Sequence, residues 1–112
     1  MKTIAFNLVA VFMLSITVLS AAENTKKIKV KGGDCKECKI HIETTTKAVQ
    51  GVTSAEWNIE TKEMTVVFDD ETVTLGDIEK AIARSGYDTP NNKAADDAYN
   101  ALPKCFQYKR DK

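Results

Sequence analysis

Apolar and polar residues alternate in three short stretches of the chain, a spacing that predicts half-buried β-strands. The first stretch, KKIKVKG, places Ile28 and Val30 between lysines. The second and third stretches, AEWNIE and EMTVVF, are separated only by Thr61 and Lys62. A gap of this length predicts a β-hairpin with one buried face.

Two other stretches repeat apolar residues every three or four positions, which predicts amphipathic helices. In the first, Cys38, Ile42 and Val49 share one face, although the β-branched run TTT within it is a poor helix former. The second reads TLGDIEKAIARSGY. Thr74 at its start predicts an N-cap with an acidic residue three positions on, close to a capping box, and Gly86 takes the place of a C-terminal glycine.

The elements follow the order β-α-β-β-α-β, which predicts an α+β ferredoxin-like fold with a four-stranded antiparallel sheet and two helices on one face. We expect a short fourth strand to start at Tyr87 and to stop near Pro90, because proline cannot donate a ladder hydrogen bond. Residues 23–90 form the predicted domain. Residues 91–112 form a short extension with one or two helical turns, and this extension carries Cys105.

The first 22 residues follow a different pattern. A single cation, Lys2, precedes an apolar run that is shorter than the roughly 20 residues of a membrane span, and Ser20 and Ala22 stand where a signal peptidase reads. These features predict a signal peptide over residues 1–22, with an uncleaved membrane anchor as the alternative. We therefore expect an exported, periplasmic protein with no membrane contact after cleavage.

The charge of the chain is balanced, with 16 lysine and arginine residues against 16 aspartate and glutamate residues. Removing residues 1–22 takes away one lysine and no acid. A net charge this small gives no electrostatic reason to expect a nucleic acid or an anionic membrane as partner. The sequence contains no evident Ser/His/Asp set, pair of catalytic carboxylates or phosphate-binding loop, so it does not indicate a hydrolase.

Three cysteines carry the candidate chemistry: Cys35, Cys38 and Cys105. Cys35 and Cys38 form a CxxC motif just before the first predicted helix, whose N-terminus favours thiolates. Gly32 and Gly33 before the motif allow backbone angles that other residues resist. A metal clamp, a redox pair and a structural disulfide all fit this arrangement. As a metal clamp, two thiolates suit Cu(I), a soft ion that accepts a near-linear pair of sulfur ligands.

The element order and the motif together resemble the heavy-metal-associated domain family over residues 26–89. The matching stretches are KVKGGDCKEC, GVTSAEWNIETKEMTVVFD and IEKAIARSGY. The resemblance implies an exported heavy-metal carrier or scavenger that binds Cu(I) through Cys35 and Cys38. It also implies a metal-transporting membrane protein that receives the ion. Zn(II), Cd(II) and Hg(II) are the alternative ions at the same site.

The ligand set beyond the two motif cysteines stays open. Gly33 stands where the family usually has a buried methionine. Asp34 is a candidate metal ligand, as in zinc, cadmium and lead exporters of this family, with a turn or helix-capping role as the alternative. Cys105 is a candidate third thiolate, with an exposed thiol or a disulfide between two chains as the alternatives. The protein is accordingly expected to be a monomer or a metal- or disulfide-linked dimer.

Two other functions compete with metal transport. A thiol–disulfide oxidoreductase could use the same motif, but such a protein usually has a cis-proline facing the pair, and Pro90 and Pro103 follow the last predicted helix of the domain. A structural domain with a disulfide across the motif is the third class. His41 is interpreted as a solvated helix residue rather than a ligand, and Tyr87 either lies near the thiolates or packs at the start of the fourth strand.

Overall fold

The computed structural model describes residues 23–110. Its elements are, in chain order, β1 (Glu23–Lys29), α1 (Lys36–Lys47), β2 (Val52–Trp57), β3 (Glu63–Asp69), α2 (Leu75–Arg84), α3 (Asp96–Asn100) and a 3-10 turn (Lys104–Phe106). The signal peptide predicted for residues 1–22 lies outside the described residues. No helix within the described range is both long and apolar enough to span a membrane.

The strands form an antiparallel sheet in the order β1-β3-β2, so the two predicted hairpin strands are neighbours. Alternate side chains of β3 are buried, which gives the sheet one core face and one open face. The core joins this face to α1 and α2 through Ile28, Ile42, Trp57, Met64, Val66, Phe68, Ile78 and Ile82. The first five elements thus agree with the predicted α+β ferredoxin-like fold.

The predicted fourth strand is not part of the sheet that residues 23–110 form, which has three strands. The Lys31 N–H donates to the Asp88 carbonyl oxygen at 2.9 Å, so the chain does pass beside the end of β1. Thr89 then closes a turn with Asn92, and Pro90 has no N–H to donate. The prediction of four strands is corrected to three, because the chain turns away before a ladder can form.

The ends of the helices are partly as predicted. Thr74 Oγ1 accepts from the Asp77 N–H at 3.1 Å while the Asp77 carboxylate accepts from the Thr74 N–H, which confirms the capping box at the start of α2. These hydrogen bonds with Thr74 lower the pKa of Asp77. Gly86 follows α2 with φ at +107°, as its predicted role requires. In contrast, α1 ends at Lys47 and leaves out Val49.

The C-terminal extension packs against the segment that was predicted to form the fourth strand. Tyr108 Oη donates to the Gly86 carbonyl oxygen at 2.8 Å and accepts from the Asp88 N–H at 2.8 Å, and all three residues are buried. The Arg110 guanidinium donates to both carboxylate oxygens of Asp88, at 2.9 and 3.0 Å. Leu102 packs against Gly86. The extension is therefore held by a buried polar network as well as by apolar contact.

Candidate metal centre

Cys35 and Cys38 lie at the N-terminus of α1, as the motif predicts. Cys35 is the N-cap residue with an extended backbone (φ −91°, ψ 156°), and its Sγ accepts a hydrogen bond from the Cys38 N–H at 3.2 Å. The two residues are joined by a disulfide. Cys38 is fully buried whereas Cys35 is partly exposed. The start of α1 therefore holds one sulfur inside the protein and offers the other to the surface.

The disulfide is the oxidised form of the pair, and metal binding needs the two thiolates that a two-electron reduction releases. The Cys38 N–H that caps α1 would then stabilise the Cys35 thiolate, because a hydrogen bond to the charged form favours that form. The positive end of the helix dipole acts in the same direction. Once reduced, the pair is a soft two-sulfur ligand set.

The two glycines before the motif are required by close packing. A Cβ atom on Gly32 would lie 2.6 Å from Ile42 Cδ1, and one on Gly33 would lie 2.9 Å from Cys38 Sγ. Neither glycine has a positive φ. The missing side chain, rather than unusual backbone angles, is therefore what the loop requires at these positions, which corrects the role that the sequence suggested.

Asp34 lies directly before the pair and forms a salt bridge with Lys62. Its carboxylate accepts from Lys62 Nζ at 2.6 Å, and 89% of its side chain is exposed. Lys62 lies in the hairpin turn with a left-handed backbone (φ 62°) and also donates to the Gly33 carbonyl oxygen at 3.3 Å. Because Cys35 is the N-cap of α1, Asp34 does not take the capping role considered for it. Sequence reasoning missed Lys62, since a turn residue carries no signal of a contact 28 positions away.

The extension brings the main chain of Cys105, rather than its thiol, against the motif. The Cys105 carbonyl oxygen lies 3.7 Å from Cys35 Sγ and 3.6 Å from Cys38 Sγ. The residue itself is exposed and its thiol is free. Among residues 23–110, no group of three or more His, Cys, Asp or Glu side chains converges as a metal site. The side chains of Cys105 and Asp34 thus do not join the motif cysteines in this form of the protein.

His41 is part of a cluster of rings beside the motif, which corrects its interpretation as a solvated residue. Its Nδ1 is hydrogen-bonded to the Tyr87 hydroxyl at 2.5 Å, and its ring centre lies 5.5 Å from those of Tyr87 and Phe106. Burial raises the pKa of Tyr87 to about 12, so the hydroxyl keeps its proton and can donate to His41. The cluster connects α1, Tyr87 and the extension.

Known proteins are similar to this chain in sequence and in fold. The profile of the heavy-metal-associated domain matches residues 27–88. The copper chaperone CopZ of Staphylococcus aureus is 38% identical over 61 residues, which cover 54% of this chain and 90% of that relative. The crystal structure of oxidised MerP from Ralstonia metallidurans superposes with a TM-score of 0.57 at 31% identity, covering 61% of this chain and 94% of that one.

The soluble region of a P-type ATPase is also similar. The water-soluble region of the P-type ATPase CopA from Bacillus subtilis matches with a TM-score of 0.55 at 28% identity, covering 60% of this chain and 44% of that one. The region that matches the family profile, residues 27–88, runs from within β1 to beyond the end of α2 and includes both motif cysteines. The chain belongs to the heavy-metal-associated domain family.

Proposed function

We propose that this protein is an exported carrier of Cu(I) that binds the ion through the reduced thiolates of Cys35 and Cys38. The observation that carries the proposal is the position of both cysteines at the N-terminus of α1, inside a heavy-metal-associated fold. A sulfur-only pair favours a soft monovalent ion over harder divalent ions. The copper chaperones among the relatives support the same choice of cargo.

The different exposure of the two sulfurs suggests how the ion would be passed on. Cys38 is fully buried, so it would keep the ion until the last step, whereas the partly exposed Cys35 would exchange first. An incoming thiolate of the recipient would bind the ion, the bond to Cys35 Sγ would break, and the released Cys35 thiolate would stay hydrogen-bonded to the Cys38 N–H. A second thiolate of the recipient would then take the place of Cys38 Sγ, whose bond to the ion would break last.

We infer that the recipient is a metal-transporting membrane protein, since a soluble region of a P-type ATPase has the same fold. Export to the periplasm rests on the signal-peptide pattern of residues 1–22. N-terminal sequencing of the protein recovered from a periplasmic fraction tests the location. A chain that starts at Glu23 supports export, whereas a chain that keeps residues 1–22 and stays in the cytoplasmic fraction contradicts it.

The binding itself is tested by anaerobic titration of the reduced protein with Cu(I), Zn(II) and Hg(II). We expect one Cu(I) per chain, and no binding at that site in the Cys35→Ser, Cys38→Ser double variant. Circular dichroism checks that the double variant is folded. We expect it to be folded, because the serine oxygen that replaces the N-cap sulfur of α1 can also cap a helix. Equal Cu(I) uptake by both proteins would refute the assignment of the site.

The disulfide of the structure supports a second candidate, a thiol–disulfide oxidoreductase. In that role the Cys35 thiolate would attack a substrate disulfide, release one substrate thiolate and leave a mixed disulfide. The Cys38 thiolate would then attack Cys35 Sγ, release the second substrate thiolate and restore the observed bond. An insulin reduction assay separates the two functions. The carrier proposal predicts a rate no higher than that of a free dithiol, whereas turnover close to that of a thioredoxin would favour the enzyme.

A further inference from the structure

The extension presents an oxygen atom to the two motif sulfurs. The Cys105 carbonyl oxygen is 3.7 Å from Cys35 Sγ and 3.6 Å from Cys38 Sγ, so it is almost equidistant from both. Within residues 23–110, no backbone N–H is hydrogen-bonded to this oxygen. A Cβ atom on Gly33 would come within 3.3 Å of it, so the side-chain-free loop leaves the space that the oxygen uses.

We propose that the Cys105 carbonyl oxygen is a third ligand of the metal site, and that it gives the protein affinity for a tetrahedral divalent ion such as Zn(II). This inference rests on the proposed binding of metal by Cys35 and Cys38 and extends it to a second class of ion. It assigns the contribution of Cys105 to the main chain instead of the thiol.

The geometry of zinc sites agrees with this assignment. Zinc binds cysteine sulfur at about 2.3 Å and carboxylate oxygen at about 2.0–2.2 Å; a carbonyl oxygen at the same distance gives a sulfur–oxygen edge of about 3.6 Å in a tetrahedral site. The two observed sulfur–oxygen separations match that edge. Reduction must still separate the two sulfurs before an ion can enter. The fourth position would remain open to water or to a ligand of the recipient.

The charges at the site also favour a divalent ion. A carbonyl oxygen carries partial negative charge, so once the disulfide is reduced, its position beside two thiolates would be unfavourable unless a cation lies between them or the thiols keep their protons. A divalent ion offsets two thiolate charges and accepts the oxygen as a donor. Cu(I) is soft and satisfied by two sulfurs, so it gains little from a carbonyl oxygen.

The extension is anchored firmly enough to hold this oxygen in place. Phe106, the residue after Cys105, is partly buried against the core and lies 5.5 Å from the His41 ring. Two residues further on, Tyr108 makes its buried hydrogen bonds to Gly86 and Asp88. A ligand fixed in this way loses little conformational entropy when the ion binds.

The test compares three variants of the full chain, each reduced and titrated anaerobically with Zn(II) and with Cu(I). Phe106→Ala removes the ring that seats the turn, Cys105→Ala removes the thiol and keeps the carbonyl, and Lys104→Ala is an exposed control on the same 3-10 turn. We expect Phe106→Ala to weaken Zn(II) binding by about tenfold or more, within the range that displaced metal-site groups show. Its Cu(I) affinity, and both affinities of the other two variants, should stay at the wild-type values.

A measurement on the wild-type protein does not depend on the fold of any variant. With carbonyl-labelled cysteine, the ¹³C′ resonance of Cys105 should shift on Zn(II) binding and stay in place with Cu(I), while those of Cys35 and Cys38 move with both ions. An unmoved Cys105 resonance, or unchanged Zn(II) affinity in folded Phe106→Ala, would overturn the proposal. So would an equal loss in Cys105→Ala, since that result assigns the thiol. If the wild-type protein binds neither ion, the proposed carrier function itself fails.

Discussion

The buried hydroxyl of Tyr108 gives the sharpest test of how the extension is attached. It donates to the Gly86 carbonyl oxygen and accepts from the Asp88 N–H, both at 2.8 Å, in the region where a fourth strand was expected. The Tyr108→Phe substitution removes both hydrogen bonds while keeping the ring. It leaves one buried N–H and one buried carbonyl without this partner, so the loss is larger than that of an exposed bond.

The expected magnitude follows from the two bonds. Each intramolecular hydrogen bond contributes about 0.5–1.5 kcal/mol net, and an unsatisfied buried group costs about 1–3 kcal/mol. Water that enters the vacated space reduces this penalty, so we expect a loss of about 2–3 kcal/mol in the free energy of unfolding. For a domain of this size, each kcal/mol corresponds to about 4–8 °C in Tm, which gives a decrease of about 8–24 °C.

Urea unfolding followed by Trp57 fluorescence measures the change, with Tyr99→Phe as the matched control. The Tyr99 hydroxyl donates to the Tyr108 carbonyl oxygen but is only partly buried, so its removal should cost about 1 kcal/mol. A Tyr108→Phe protein within about 0.5 kcal/mol of the wild type, the scatter of ordinary surface substitutions, would refute the view that the extension is part of the folded domain.

Three further predictions concern single groups. Burial acts to raise the pKa of Asp88, but the hydrogen bonds from Arg110 and the Ala94 N–H lower it on balance. Its stabilisation is therefore present above the unfolded pKa of about 3.9 and lost as the pH falls below it, so the stability difference between wild type and Asp88→Asn should shrink in acid urea titrations. The Thr74→Ala substitution removes the cap of α2 and should cost about 1 kcal/mol in the same assay. Burial raises the pKa of Tyr87 to about 12, so its stabilisation is complete below pH of about 10 and is lost as the pH rises through 12. Because burial also raises the pKa of Tyr108, a Tyr87→Phe protein should show a smaller alkaline loss of stability than the wild type, and an unchanged profile would contradict this.

The features that the sequence predicted depend on local pattern. The hairpin of β2 and β3 follows from alternation, and the capping box follows from Thr74 and Asp77 three positions apart. The position of the CxxC motif at the start of a helix is equally local. In each case the residues that decide the structure are close together in the chain, so their spacing is enough.

The features that the sequence did not predict depend on contacts between distant residues. Tyr108 and Arg110 reach Asp88 over 20 and 22 positions, and no periodic pattern marks them. Their network, with the turn at Thr89, takes the place of the fourth strand. The sequence indicated the Cys105 thiol as a candidate ligand, because the identity of a residue gives information on its side chain only. Every residue has a main-chain carbonyl oxygen, so the sequence does not indicate which one approaches the motif.

We expect reduced Cys35 and Cys38 to bind Cu(I) together, and copper K-edge X-ray absorption of the reduced protein with one equivalent of Cu(I) measures the ligands of the ion. Two thiolate ligands should give a first shell of two sulfur neighbours, with their signal lost in the Cys35→Ser, Cys38→Ser variant and kept in Cys105→Ala. A first shell without sulfur, or a sulfur shell that survives in the double variant, would contradict it.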